Sequence, residues 1–226
     1  MGLFFVLIAV SCNTSFDKIK LIMSINSCFA LIFLLFLSEV DAQDASRQMS
    51  LGFYCGVGKE IKNKNYSYSN RYFKFQFCNT IKESKKYKYE FSIQPQVDFA
   101  QHQLLNLYYI TPDSSGYLEK REEFGKLKDI RNYSVSFGLI ISRSLSEWLS
   151  VFVSASVGPM ITDTETERLS RGFTFSDVLS LGFSFKIYNA VFEIRPNFSH
   201  LSNAGLQKRN GGFNSINLEF GLNVPL

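Results

Sequence analysis

At 226 residues the chain is long enough for one sizeable domain or one membrane barrel. A formal charge of +4 and a hydrophobic fraction of 46% are ordinary values, and they give no ground for expecting a nucleic-acid partner. The mild basic balance suits an anionic lipid surface and a plain solvated surface equally, so the residue pattern has to decide.

The chain opens on a pattern that predicts an export signal. Lys18 and Lys20 precede the apolar run Cys28 to Leu37, which is followed by Ser38-Glu39-Val40-Asp41-Ala42. A basic segment, roughly ten apolar residues and a small-residue site predict a signal peptide over residues 1–42, cleaved after Ala42. Met23 is an alternative start. The competing reading, a membrane helix over 21–37, falls short of the roughly 20 residues a span needs. The remainder, 43–226, reads as a single domain. It keeps Cys55 and Cys78, which the strand pattern puts on opposite faces, so no disulfide is expected.

From about Ser50 onward apolar and polar residues alternate with period two, the signature of strands. Tyr87, Tyr89, Phe91, Ile93, Pro95, Val97 and Phe99 share one face, with Lys88, Glu90, Ser92, Gln94, Gln96 and Asp98 on the other. The final strand is as regular, with Ile216, Leu218, Phe220, Leu222 and Val224 opposed to Asn217, Glu219, Gly221 and Asn223. Strands are predicted over 50–58, 70–79, 86–99, 131–142, 148–158, 173–186, 189–200 and 214–225. They are longer than the five or six residues usual in soluble sheets and match the ~9–11 of a tilted membrane strand. The predicted fold is all-β: an eight-stranded antiparallel outer-membrane β-barrel, apolar outside and polar within. A soluble exported barrel is the alternative. An open pore is disfavoured, because side chains fill an eight-stranded interior, and Glu193, Arg195 and Glu219 read as a lumenal charge network.

The connections alternate in length. Residues 59–69, 100–130, 159–172 and 201–213 form the long, outer set, and 80–85, 143–147 and 187–188 the short, inner turns. The charged run Glu119-Lys120-Arg121-Glu122-Glu123 is compatible with a short helix in the second long loop.

Near the C-terminus stands His200-Leu201-Ser202-Asn203-Ala204-Gly205-Leu206, followed by Asn210-Gly211-Gly212-Phe213-Asn214. Residues two apart on a strand share a face, so His200 and Ser202 are placed as a general base and a serine nucleophile would be. Parity puts His200 on the lipid-facing side with Ile194 and Phe198, where lipid offers an imidazole no partner. The plainer reading is an interfacial histidine bonded to loop backbone.

The His-x-Ser-Asn-Ala-Gly-Leu run, Asn210, Gly212 and the ending Phe220 to Leu226 resemble the C-terminal signature of the lipid A 3-O-deacylase family. A weaker likeness, including Phe175-Ser176-Asp177, reaches back to Val151. The resemblance implies an esterase that removes the 3-linked acyl chain of lipid A at the outer leaflet. Its partners would be lipopolysaccharide and membrane lipids, a homodimer would be unsurprising, and no cofactor or metal is needed. It makes Ser202 the nucleophile, His200 the base, Asn203 and Gly205 oxyanion-stabilising groups and Asn210 a supporting residue. One position departs. The family carries its acid fourteen residues after the histidine as glutamate, and this chain has Asn214 there. On the outward face Asn214 can still reach His200, whereas parity turns Glu193 and Glu219 into the lumen. An amide can orient an imidazole but cannot stabilise its charge. The chain therefore reads as a variant Ser-His-Asn esterase or as a barrel that kept the fold and lost the chemistry.

Overall fold

A computed structural model describes residues 48–61 and 63–226. The signal peptide expected over 1–42 lies outside the described residues. Among the described residues the strands are β1 (Met49–Glu60), β2 (Tyr66–Glu83), β3 (Tyr87–Leu104), β4 (Lys128–Ser144), β5 (Leu149–Thr162), β6 (Gly172–Ile187), β7 (Ala190–Ser202) and β8 (Phe213–Pro225), with one α-helix, α1 (Tyr117–Phe124), and a short 3-10 turn (Leu107–Tyr109). Each strand pairs antiparallel with its sequence neighbours, and β8 returns to β1, with Cys55 opposite Phe220, to close the barrel. Closure satisfies the backbone of every strand without leaving an edge, the condition for crossing hydrocarbon.

The alternation works as the pattern requires. Phe53, Phe75, Ile93, Phe137, Leu181 and Phe220 project outward into an apolar belt. Trp148, Tyr87 and Tyr89 sit exposed near its short-turn end, where amphipathic rings suit a membrane interface. Cys55 is exposed on this outer wall and Cys78 is buried in the interior, on opposite faces as expected.

The lumen is filled and wired. Arg195 donates to Gln76 Oε1 at 2.7 Å and to Tyr54 Oη at 2.9 Å, and pairs with Glu193. Lys74 Nζ lies 2.7 Å from Glu219 Oε2. These charges are nearly inaccessible, and they are tolerated because each is paired and hydrogen-bonded. Glu193 and Glu219 thus face the interior and are committed there.

The strands extend further than predicted at the long-loop end. β2 begins at Tyr66 instead of 70, β3 runs to Leu104 instead of 99, and β4 starts at Lys128 instead of 131. The loops shrink to 61–65, 105–127, 163–171 and 203–212. The reason is an inversion of polarity at constant period. Above the belt the inner face becomes apolar, with Tyr66, Tyr68, Ala100, Ile130, Leu201 and Phe213 packed together, while Ser67, Gln101 and Asp129 turn outward. The Tyr68 and Phe213 rings stack at 4.6 Å. This cluster plugs the outer mouth. α1 occupies the second loop where the charged run stands, held by Phe124 against Leu104 and Ile110.

Candidate active site on the outer wall

Three adjacent strands build the site. β7 lies between β6 and β8. His200 is cross-strand partner to Asn214 on β8 and to Asp177 on β6, and Ser202 is partner to Phe175. All of these except the inward residues between them point to the outer wall. The intervening Leu201 and Phe213 point inward and are buried in the mouth cluster, so the same strand segments that present the polar groups are clamped from behind by apolar packing.

His200 Nδ1 lies 2.6 Å from Asn214 Oδ1. A carbonyl oxygen only accepts, so Nδ1 carries the proton and, in the neutral ring, Nε2 keeps its lone pair. Ser202, half-buried at the end of β7, is two residues along the same face, about 6.6 Å in Cα position. Its hydroxyl is not hydrogen-bonded to the ring in this conformation. Such bonds are often loose before substrate binds.

The residues after Ser202 form a tight turn. Ala204 and Gly205 have φ of 52° and 77°, and the Leu206 N–H donates to Asn203 O at 2.9 Å. Two successive positive φ values define a type I′ turn, and an asparagine before it closes the turn with its own side chain. Asn203 Oδ1 accepts from the Gly205 N–H at 3.1 Å, and its Nδ2 donates to Arg209 O at 2.7 Å. The two groups that sequence reasoning assigned to oxyanion stabilisation are therefore engaged within the loop. Asn210 Oδ1 accepts from the Asn203 N–H at 2.8 Å, fixing the far side of the same turn.

Two neighbours carry no role in the sequence reading. Arg168 reaches from the 163–171 loop to donate to the Gly212 carbonyl at 2.7 Å and to the Gly211 carbonyl at 2.6 Å. No motif marks it. Gly212 itself has φ of 58°, and a Cβ there would meet Leu201 O at 2.3 Å, so the chain can enter β8 beside His200 only with glycine. The second residue is Asp177, an exposed carboxylate on the outer wall beside His200.

The other histidine is a different case. His102 is buried inside the mouth, with Nε2 2.7 Å from Glu167 Oε2 and its ring 5.0 Å from that of Phe213. It latches the 163–171 loop to β3 and has no open face for a substrate.

A closed barrel with an apolar belt, a filled lumen, short turns at one end and long loops at the other defines an outer-membrane barrel. The sequence profile of the lipid A 3-O-deacylase (PagL) family matches residues 85–223, and the chain belongs to that family. Among solved structures, the crystal structure of the outer membrane enzyme PagL is similar at a TM-score of 0.54 and 13% identity, covering 77% of this chain and 99% of that one. Neisserial surface protein A is similar at 0.45 and 13% identity, covering 78% and 96% respectively. The Ail attachment protein of Yersinia pestis is similar at 0.36 and 16%, covering 79% and 97%. No curated protein matches the chain.

Proposed function

We propose that this outer-membrane barrel is a serine esterase that hydrolyses the 3-linked acyl chain of lipid A. The observation that carries the reading is the 2.6 Å His200–Asn214 bond on the lipid-facing wall, close to the long loops. It orients an imidazole toward the membrane with the proton on the ring nitrogen that a general base does not use. Long loops mark the external side of such barrels, so the site lies at the level of the outer leaflet, where lipid A resides.

In this mechanism Ser202 Oγ attacks the ester carbonyl carbon while its proton passes to His200 Nε2. The tetrahedral intermediate collapses as the bond to the sugar oxygen breaks, and the Nε2 proton goes to that oxygen. Water then attacks the acyl-serine, giving its proton to Nε2. The acid is released and Ser202 Oγ recovers the proton. Asn214 holds the ring, and Asn210 and Arg168 hold the turn beside Ser202. For Asn203 Nδ2 and the Gly205 N–H to face the oxyanion, both must leave their loop partners as substrate seats.

Mass spectrometry of lipid A from cells producing the protein tests the assignment. Loss of one 3-hydroxy acyl chain with the wild type, but not with Ser202→Ala, is the expected result. An unchanged lipid A profile from a folded barrel overturns it. The uncharged Asn214 favours a second reading, a barrel that binds lipopolysaccharide without cleaving it. That reading predicts that Asn214→Glu creates an activity the wild type lacks.

A further inference from the structure

We propose that Asp177 supplies the negative charge that Asn214 cannot, so that two strands share the work of one catalytic acid: β8 orients His200 and β6 stabilises its charged form. This rests on the esterase reading above. Asp177 and His200 are direct cross-strand partners, as are His200 and Asn214. Side chains so paired stand with Cβ atoms about 4.5–5.5 Å apart on one face, a separation at which a carboxylate and an imidazolium attract one another.

A carboxylate at this place has no structural explanation on its own strand. Its outward neighbours along β6 are Phe173, Phe175, Leu179, Leu181 and Phe183. An ionisable group in such a belt is costly unless something opposes it. Of the elements packed around His200, β8 offers the neutral Asn214. The turn side offers Gly212, whose carbonyl holds Arg168. Asp177 is thus the acidic group that faces the ring from the adjoining strands. A general base begins the cycle as the uncharged imidazole. When it takes the Ser202 proton, an imidazolium forms in a poorly screened setting beside Asp177, and the attraction favours the transition state over the ground state. Asp177 acts through His200 and does not touch substrate, so it is a positioning residue.

The test uses the full-length barrel in detergent micelles containing lipopolysaccharide, comparing wild type, Asp177→Asn and Asp177→Asn/Asn214→Glu. Asp177→Asn preserves shape and removes charge. It is expected to lower kcat about 10–10²-fold with KM little changed. The double variant should recover most of that loss, because a carboxylate then stands on the other side of the ring. Independently of turnover, NMR of ¹⁵N-histidine-labelled protein follows the titration of His200, identified by its absence in His200→Gln. A carboxylate partner favours the protonated ring, so the proposal requires Asp177→Asn to move the His200 midpoint down. An unchanged midpoint overturns the proposal, as does an unchanged kcat in an active enzyme. Should the wild type release no acyl chain while the midpoint still moves, the esterase reading fails and the Asp177–His200 coupling stands.

Discussion

The Nδ1–H of His200 donates to Asn214 Oδ1 over 2.6 Å, between cross-strand partners of the last hairpin. An amide in this role orients without charging. Asn214→Ala should therefore free the ring to rotate and lower kcat about 10²–10³-fold while leaving the barrel folded. Asn214→Glu in the otherwise native chain should alter the rate by less than about tenfold, since a carboxylate already flanks the ring; this is small beside the ~10⁴ an orienting acid can supply. Release of 3-hydroxy fatty acid from lipopolysaccharide in micelles measures both. A rise of 10² or more in the Glu variant would favour the non-catalytic reading.

Ser202→Ala and His200→Ala should each remove nearly all acyl release, by about 10⁴-fold or more, and the double variant should be scarcely worse, because groups that act as one unit are not additive. Unchanged strand content by circular dichroism shows that the loss is chemical. If Ser202→Ala alone kept wild-type rates, the nucleophile would be another group.

Gly212→Ala confronts a new Cβ with Leu201 O at 2.3 Å in a left-handed backbone. The chain must move, and with it the entry to β8 next to His200. A destabilisation of about 1–3 kcal/mol is expected, with a fall in acyl release that exceeds what the stability loss explains. Urea midpoints and single-turnover rates on the same preparations separate the two effects.

Arg168→Ala removes two hydrogen bonds to the Gly211 and Gly212 carbonyls. Charged donors to backbone contribute about 1.5–3 kcal/mol each at most. The expected result is faster hydrogen exchange confined to residues 203–212 and lower kcat, with the rest of the barrel unchanged. Equal exchange in variant and wild type would show that the turn stands without this brace.

Arg195→Met tests the lumen. It leaves Glu193 and Glu219 buried without their guanidinium, at a cost of about 3–5 kcal/mol. Acyl release per folded molecule should be unaffected, because the wall separates this network from His200. A selective loss of activity at full stability would tie the lumen to the site.

Much of this architecture was readable from residue order. Period-two alternation placed His200 and Asn214 outside and Glu193 and Glu219 inside, and the asymmetry of the loops put His200 at the correct end. The overlooked stretch of β2, from Tyr66, has the same alternation with its sign reversed, so a rule that made the inside polar could not see it. The pairing of Asp177 with His200 depends on a finer feature, the position of one turn. β6 and β7 join through the two residues Tyr188 and Asn189, with Ile187 opposite Ala190, and this register sets Asp177 against His200. Placing the turn one residue earlier, at 187–188, slides the partners by two and sets Phe198 against Asp177 instead. Register is that sensitive to turn position. The turn is hard to locate because Tyr188 takes φ of 53°, where glycine or asparagine would have flagged it. Arg168 had no pattern to betray it, since only the folded loops bring it to Gly212.

The Arg195 network and the aromatic plug above it also have an electrical consequence. Paired charges and stacked rings fill the axis from Tyr54 to Phe213. The barrel should be silent in a planar bilayer under applied voltage, with no ion current above that of the lipid. A cell can therefore carry many copies of this protein in its outer membrane without short-circuiting the barrier in which they sit.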